Sequence, residues 1–129
     1  MDMDVATLAR AQSQNRVLIG AGLMVLPGLF GRAWVGSAAL DDRASVLARS
    51  LGARDLALGV AGLVALRDGD RRWASRAFAA QAFADGVDLV AIVAGRRVPL
   101  GSRLVGGVMA GGSAAVAAAY ARRLAAGEA

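Results

Sequence analysis

Charged and apolar positions fall in blocks along the chain, and the blocks predict four helices. Residues 17–30, VLIGAGLMVLPGLF, hold no charge. At about 1.5 Å per residue this run spans about 21 Å, so it needs flanking residues to cross a hydrocarbon core of about 30 Å. A first helix over residues 10–30, ended or kinked at Pro27, is expected. The long acidic-containing lead and the Pro27-Gly28 interruption set it apart from a secretory signal. Residues 1–16 are polar and mixed in charge, and read as an amphipathic helix on a membrane surface or as a solvated extension. Beyond Pro27, Arg32, Trp34 and residues 36–42 read as an interfacial loop, with the Trp34 ring at headgroup level.

A second helix over residues 42–66 is expected to start on Asp41 or Asp42 as its cap and is long enough to span. Leu51, Asp55, Leu58, Gly62 and Leu66 recur on it at helical spacing, which puts Asp55 on one stripe. Arg54 points about 100° away, so the two adjacent charges are expected to seek partners on other helices. Residues 67–72, RDGDRR, form a tight charged turn between antiparallel neighbours. A third helix follows over residues 73–95, opened by Trp73 as another interfacial anchor. Phe78, Gln81, Asp85, Asp88 and Ile92 lie three or four apart and bring an amide and two carboxylates to one face. A fourth helix over residues 99–123 starts near Pro99. Residues 104–121 carry no charge, which alone meets the spanning criterion. Gly106, Gly107, Gly111 and Gly112 supply small-residue pairs on it that suit helix packing or a homodimer. Tyr120, near its end, reads as an interface anchor.

Composition turns this pattern toward lipid. Of 129 residues, 57% are hydrophobic and 17 are Gly. Counted with Gly, the apolar share is about 70%, against about 45–50% in soluble domains. One domain is expected, because a second core would leave too few residues for either. The fifteen cationic residues are all Arg, with no Lys, His or Cys. Disulfides, Cys or His metal sites, a Cys nucleophile and His or Lys bases are therefore excluded. The net charge of +5 lies in small Arg groups between apolar runs without interleaved aromatics. That arrangement suits anionic lipid headgroups and not nucleic acid. Arg10, Arg16, Arg67, Arg71, Arg72, Arg122 and Arg123 fall on one side of a four-span topology, against Arg32, Arg43, Arg96, Arg97 and Arg103. The excess places both ends in the cytoplasm and the chain in the plasma membrane.

The charges inside the second and third helices are the candidate site. A mid-helix Asp costs about 2.5–3.5 kcal/mol on insertion scales, and each large apolar residue returns about 0.3–0.6. The third helix therefore spans only if Asp85 and Asp88 face the bundle interior and are neutralised there. Arg54 is the expected partner, with Arg49 and Arg76 less central. One Arg cannot balance Asp55, Asp85 and Asp88, so a shared proton is expected as well.

The run from Pro27 through Trp34-Val35-Gly36, then Leu51-Gly52-Ala53-Arg54-Asp55-Leu56-Ala57-Leu58-Gly59, then Asp85 and Asp88 after Trp73, resembles a known family. It is similar to a domain-of-unknown-function family of small four-helix membrane proteins of actinobacteria. The likeness covers residues 17–95, and Gly52-Ala53-Arg54-Asp55 is its most recognisable piece. It implies an all-α, antiparallel four-helix transmembrane bundle in which Arg54, Asp55, Asp85 and Asp88 matter, and it implies no activity.

The functional expectation is a buried polar site that binds or acts on a small, largely apolar molecule, with membrane lipids around it. Asp55, Asp85 and Asp88 are the candidate catalytic groups, and Arg54 and Gln81 the candidate binding groups. Catalysis by such residues would be isomerisation or cyclisation, with Asp as general acid and base and Arg54 stabilising negative charge. A Mg²⁺ site of Asp55 with Asp85-x-x-Asp88 is the weaker reading, since the pair is poorer in acid than prenyl-diphosphate motifs. Neither a metal nor another cofactor is expected. Two other readings compete: an ion-pair network that only fixes helix register, and a soluble four-helix protein with an apolar ligand in its core.

Overall fold

The computed structural model describes the backbone of residues 5–35 and 41–127 and the side chains of residues 6–32 and 41–127. All of its regular structure is helical: α1 (Val5–Val25), α2 (Pro27–Val35), α3 (Asp42–Asp68), α4 (Arg71–Ala94) and α5 (Leu100–Ala126). Five helices stand among the described residues where four were expected, because the first breaks at Leu26. Proline brings no N–H to continue the ladder and is suited to a first helical position, which Pro27 takes in α2. Leu26 joins the two pieces: its N–H reaches the Gly22 carbonyl at 2.7 Å, and its carbonyl accepts from Leu29 and Phe30.

Residues 5–16 are not a separate lead-in. They form the first half of α1, and Ser13 and Arg16 are buried. Residues 1–4, the loop at 36–40 and the Trp34 side chain, expected at an interface, lie outside the described residues.

The charged boundaries behave as their chemistry dictates. Asp41 caps α3 by accepting the Arg43 N–H at 3.4 Å. Gly69 ends that helix in the left-handed region at φ 72, which only glycine adopts without strain. Asp70 then caps α4, accepting from the Arg72 and Trp73 N–H groups at 2.9 and 3.2 Å. Pro99 stands at the N-cap of α5.

The helices pack mainly as two pairs, α1 with α3 and α4 with α5, and the pairs meet along a looser seam. Bare backbone closes the first pair. A Cβ on Gly20 would lie 2.5 Å from the Leu56 nitrogen, and one on Gly52 2.6 Å from the Gly20 carbonyl oxygen. These glycines let two helix backbones meet, the role that the fourth predicted helix was expected to supply. In α5, by contrast, a Cβ on Gly107 or Gly111 would meet only Leu89 atoms at 3.5 Å or more, and Gly112 faces open space.

At the end marked by Gly69 and Gly127, Ala9, Ala65, Ala77, Phe78, Ala117, Tyr120 and Leu124 form an apolar core. Tyr120 is buried there, edge-on to Phe78 with ring centroids 4.8 Å apart, and is not the interface anchor expected. Two bonds tie α4 to α5 near this end, Ser75 Oγ to the Ala121 carbonyl at 2.9 Å and Arg71 to the Gly127 carbonyl at 3.1 Å.

Large apolar side chains lie on the outside as well as in the core. Phe83, Val90, Leu104 and Val108 are exposed, while Arg16, Asp55, Gln81 and Asp85 are buried. By length and composition, α4 and α5 are each sufficient to cross a membrane.

Candidate functional site

Buried positions on each long helix recur at alternating steps of four and three: Ala9, Ser13, Arg16, Gly20 and Leu23 on α1, and Ala74, Phe78, Gln81 and Asp85 on α4. This period lays one stripe along each helix toward its neighbours. At mid-height the stripes become polar. Asp55 is the middle residue of α3 and Ser113 that of α5.

Arg16 is the hub. Its Nη1 donates to Asp55 Oδ1 at 2.9 Å, and its Nη2 donates to Asp85 Oδ2. One guanidinium on α1 thus joins carboxylates on α3 and α4, which suits its planar fork of donors. The Ser113 hydroxyl of α5 donates to the same Asp85 oxygen at 2.6 Å, and Gln12 Nε2 donates to Ser113 Oγ at 2.9 Å and to its carbonyl at 3.1 Å. Beside this set, Arg54 grips Asp88 with both Nη groups, at 3.0 and 2.6 Å.

Arg54 Nη2 also donates to Asp55 at 3.1 Å. The two neighbours were expected not to neutralise each other. Their Cβ directions do diverge, but the Arg54 side chain is long enough to fold back onto Asp55.

The expected residues Arg54, Asp55, Asp85 and Asp88 are therefore brought together: Arg54–Asp88 and Arg16–Asp85 cross the seam, and Asp55 is held from its own side by Arg16 and Arg54. Gln81 is not part of their cavity. It is fully buried and donates to the Leu58 carbonyl at 3.0 Å, holding α4 to α3. Arg49 donates to the Met24 carbonyl and Arg76 is exposed, so neither joins the cluster. Arg16, Ser113 and Gln12 were missed. Among the described residues, no group of three acidic side chains is placed to hold a metal ion.

Where the two pairs diverge, a cavity of about 220 Å³ opens beside the cluster. Gln12, Asn15, Arg16, Asp55, Asp85, Asp88 and Ser113 form its polar wall, and Ile19, Met109 and Ala110 its apolar wall. Five polar side-chain atoms on α1, α3 and α4 are buried without a hydrogen-bond partner among the described residues: Gln12 Oε1, Ser13 Oγ, Arg16 Nε, Arg54 Nε and Gln81 Oε1.

No family model, curated protein or solved structure matches the chain. The reading of this site therefore rests on its own chemistry. The cavity joins apolar side chains to convergent polar groups, as small-molecule sites do, with a larger polar share than most.

Proposed function

We propose that the chain is a multi-pass membrane protein whose four long helices form an antiparallel bundle, and that the mid-height cavity binds a small, largely apolar molecule by one polar end. The cavity itself carries this reading, because it sets Ile19, Met109 and Ala110 across from the Arg16–Asp85–Ser113 network. Lipid as the surroundings is supported by the large apolar side chains turned outward and the charges turned inward. The short Gly69-Asp70 turn between α3 and α4 supports antiparallel neighbours. The likeness of Gly52-Ala53-Arg54-Asp55 to small actinobacterial membrane proteins agrees with this placement and adds no activity to it.

Binding without turnover is the simpler use of the aspartates. An isomerase or cyclase needs a carboxyl that donates a proton, and here each carboxylate accepts from a guanidinium.

The test uses the full chain purified in detergent and three small cyclic molecules with one polar group each: cyclohexanol, cyclohexanone and cyclohexylamine. Ligand-observed NMR is expected to show saturable binding of at least one, lost in Met109→Trp, which fills the apolar wall. No binding by any of the three, or binding that survives the substitution, overturns the reading.

A further inference from the structure

Resting on that reading, the unpartnered atoms of the wall say which polar end fits. Asp85 accepts two hydrogen bonds on Oδ2 and Asp55 accepts two on Oδ1. Among the described residues, Asp85 Oδ1 and Asp55 Oδ2 accept none. Gln12 Oε1 is likewise without a donor, while its Nε2 is engaged by Ser113. Among the described residues, the Nη groups of Arg16 bond Asp55, Asp85 and Ser113, and its Nε is a buried donor of the wall without a partner. Three acceptors of the wall, Gln12 Oε1, Asp55 Oδ2 and Asp85 Oδ1, are thus without a donor among the described residues.

Charge points the same way. The cluster sets Asp55, Asp85 and Asp88 against Arg16 and Arg54, which leaves one negative charge unbalanced at mid-height. An unbalanced charge is costly away from water and is best met by a single cation.

We propose that the cavity takes a small protonated amine with an apolar body, its ammonium group bonded by the free acceptors of Gln12, Asp55 and Asp85. An alkylammonium has three N–H donors and no acceptor, so it matches three acceptors and supplies the one missing positive charge. A neutral alcohol or ketone brings one donor or none. The body lies against Ile19, Met109 and Ala110. Size permits this: an apolar cavity of about 150 Å³ holds benzene, so the present volume accommodates a six-membered ring and its substituent.

A matched pair of probes tests the charge. Cyclohexylamine is protonated at pH 7, as a lysine amine is, and cyclohexanol has nearly the same shape without the charge. Titrated into the full chain in detergent at pH 7, the amine is expected to saturate and to bind about tenfold tighter or more than the alcohol. Gln12→Met removes the Oε1 acceptor, and with it the Nε2 bonds to Ser113, at similar length, and is expected to weaken the amine by roughly tenfold and the alcohol by less. Met109→Trp should abolish both. Equal affinity for the two probes, or an alcohol that binds alone, overturns the amine assignment and leaves small-molecule binding standing. Failure of both to bind, with cyclohexanone silent too, overturns both. An amine that still binds to Met109→Trp binds elsewhere and also overturns the assignment.

Discussion

Arg16 serves two carboxylates on two helices, so its loss leaves more behind than one broken bond. In Arg16→Met, Asp85 keeps only the Ser113 hydroxyl and Asp55 keeps only Arg54. Removing one partner from a buried ion pair costs about 3–5 kcal/mol, because the other charge stays buried. Denaturation of Arg16→Met in detergent is expected to show a loss of that size, and a loss under about 1 kcal/mol would show that Arg16 is not the hub. The Arg54–Asp88 pair should behave differently, since both partners can be removed together. Arg54→Met with Asp88→Leu is expected to be more stable than Arg54→Met alone, which leaves Asp88 half-buried without its guanidinium. Four of these side chains were readable in the sequence because each interrupts an apolar run. Arg16 was not, because Gln12, Ser13, Gln14 and Asn15 precede it and make it look like part of a solvated segment. Ser113 was hidden for the opposite reason, as a small hydroxyl in an uncharged run whose partner lies on another helix.

Helix positions were legible from charge blocks and caps, and helix partners were not. The signal for partnership is a stripe of small residues, since Gly20, Gly52 and Gly59 bring the α1 and α3 backbones together, with Val17 and Leu23 packed against the α3 glycines. The glycines of α5 are just as regular in the sequence, yet a Cβ on Gly107, Gly111 or Gly112 meets at most Leu89 at 3.5 Å or more. Spacing alone cannot separate the two cases, because it does not say which helix lies opposite. Substitution does. Gly52→Ala sets a methyl against the Gly20 carbonyl, a backbone atom that cannot turn aside, and is expected to cost about 1–3 kcal/mol by thermal unfolding. Gly112→Ala, with open space around it, is expected to gain about 0.5–1 kcal/mol from the helical preference of alanine. A stable Gly52→Ala would refute the close α1–α3 contact. A destabilised Gly112→Ala, with a change in oligomeric state, would show that α5 packs on a second copy. At Pro27 an end or a kink was expected, with an interfacial loop from Arg32 onward, yet Arg32 and Trp34 lie in α2. The expected first helix became two because the five residues after Phe30 continue as helix to Val35.

At the scale of the whole molecule, the two helix pairs are held across their seam by charge and amide contacts at mid-height and by the Phe78–Tyr120 core at one end, and many large apolar side chains are left to the outside. Such a seam is strong only where water is scarce, because exposed ion pairs contribute about 0–1 kcal/mol. The outer surface sets the same condition, since Phe83, Val90 and Val108 are 75, 68 and 74% exposed. In water this surface would drive association, whereas in a bilayer it is the ordinary lipid-facing side of the helices. With Arg16 at the centre, the Arg groups at the two ends become nearly equal in number, so the positive-inside rule gives little preference for either orientation. The chain contains no cysteine, so single substitutions report on exposure without background. In freeze–thawed vesicles, Val90→Cys and Val108→Cys are expected to resist a water-soluble maleimide, while Arg72→Cys and Arg97→Cys react at once. All four should react after denaturation in SDS, which controls for the chemistry of each thiol. Equal, rapid labelling of Val90→Cys, Val108→Cys and Arg97→Cys in the vesicles would place the α4 and α5 surfaces in water and overturn the proposed membrane placement.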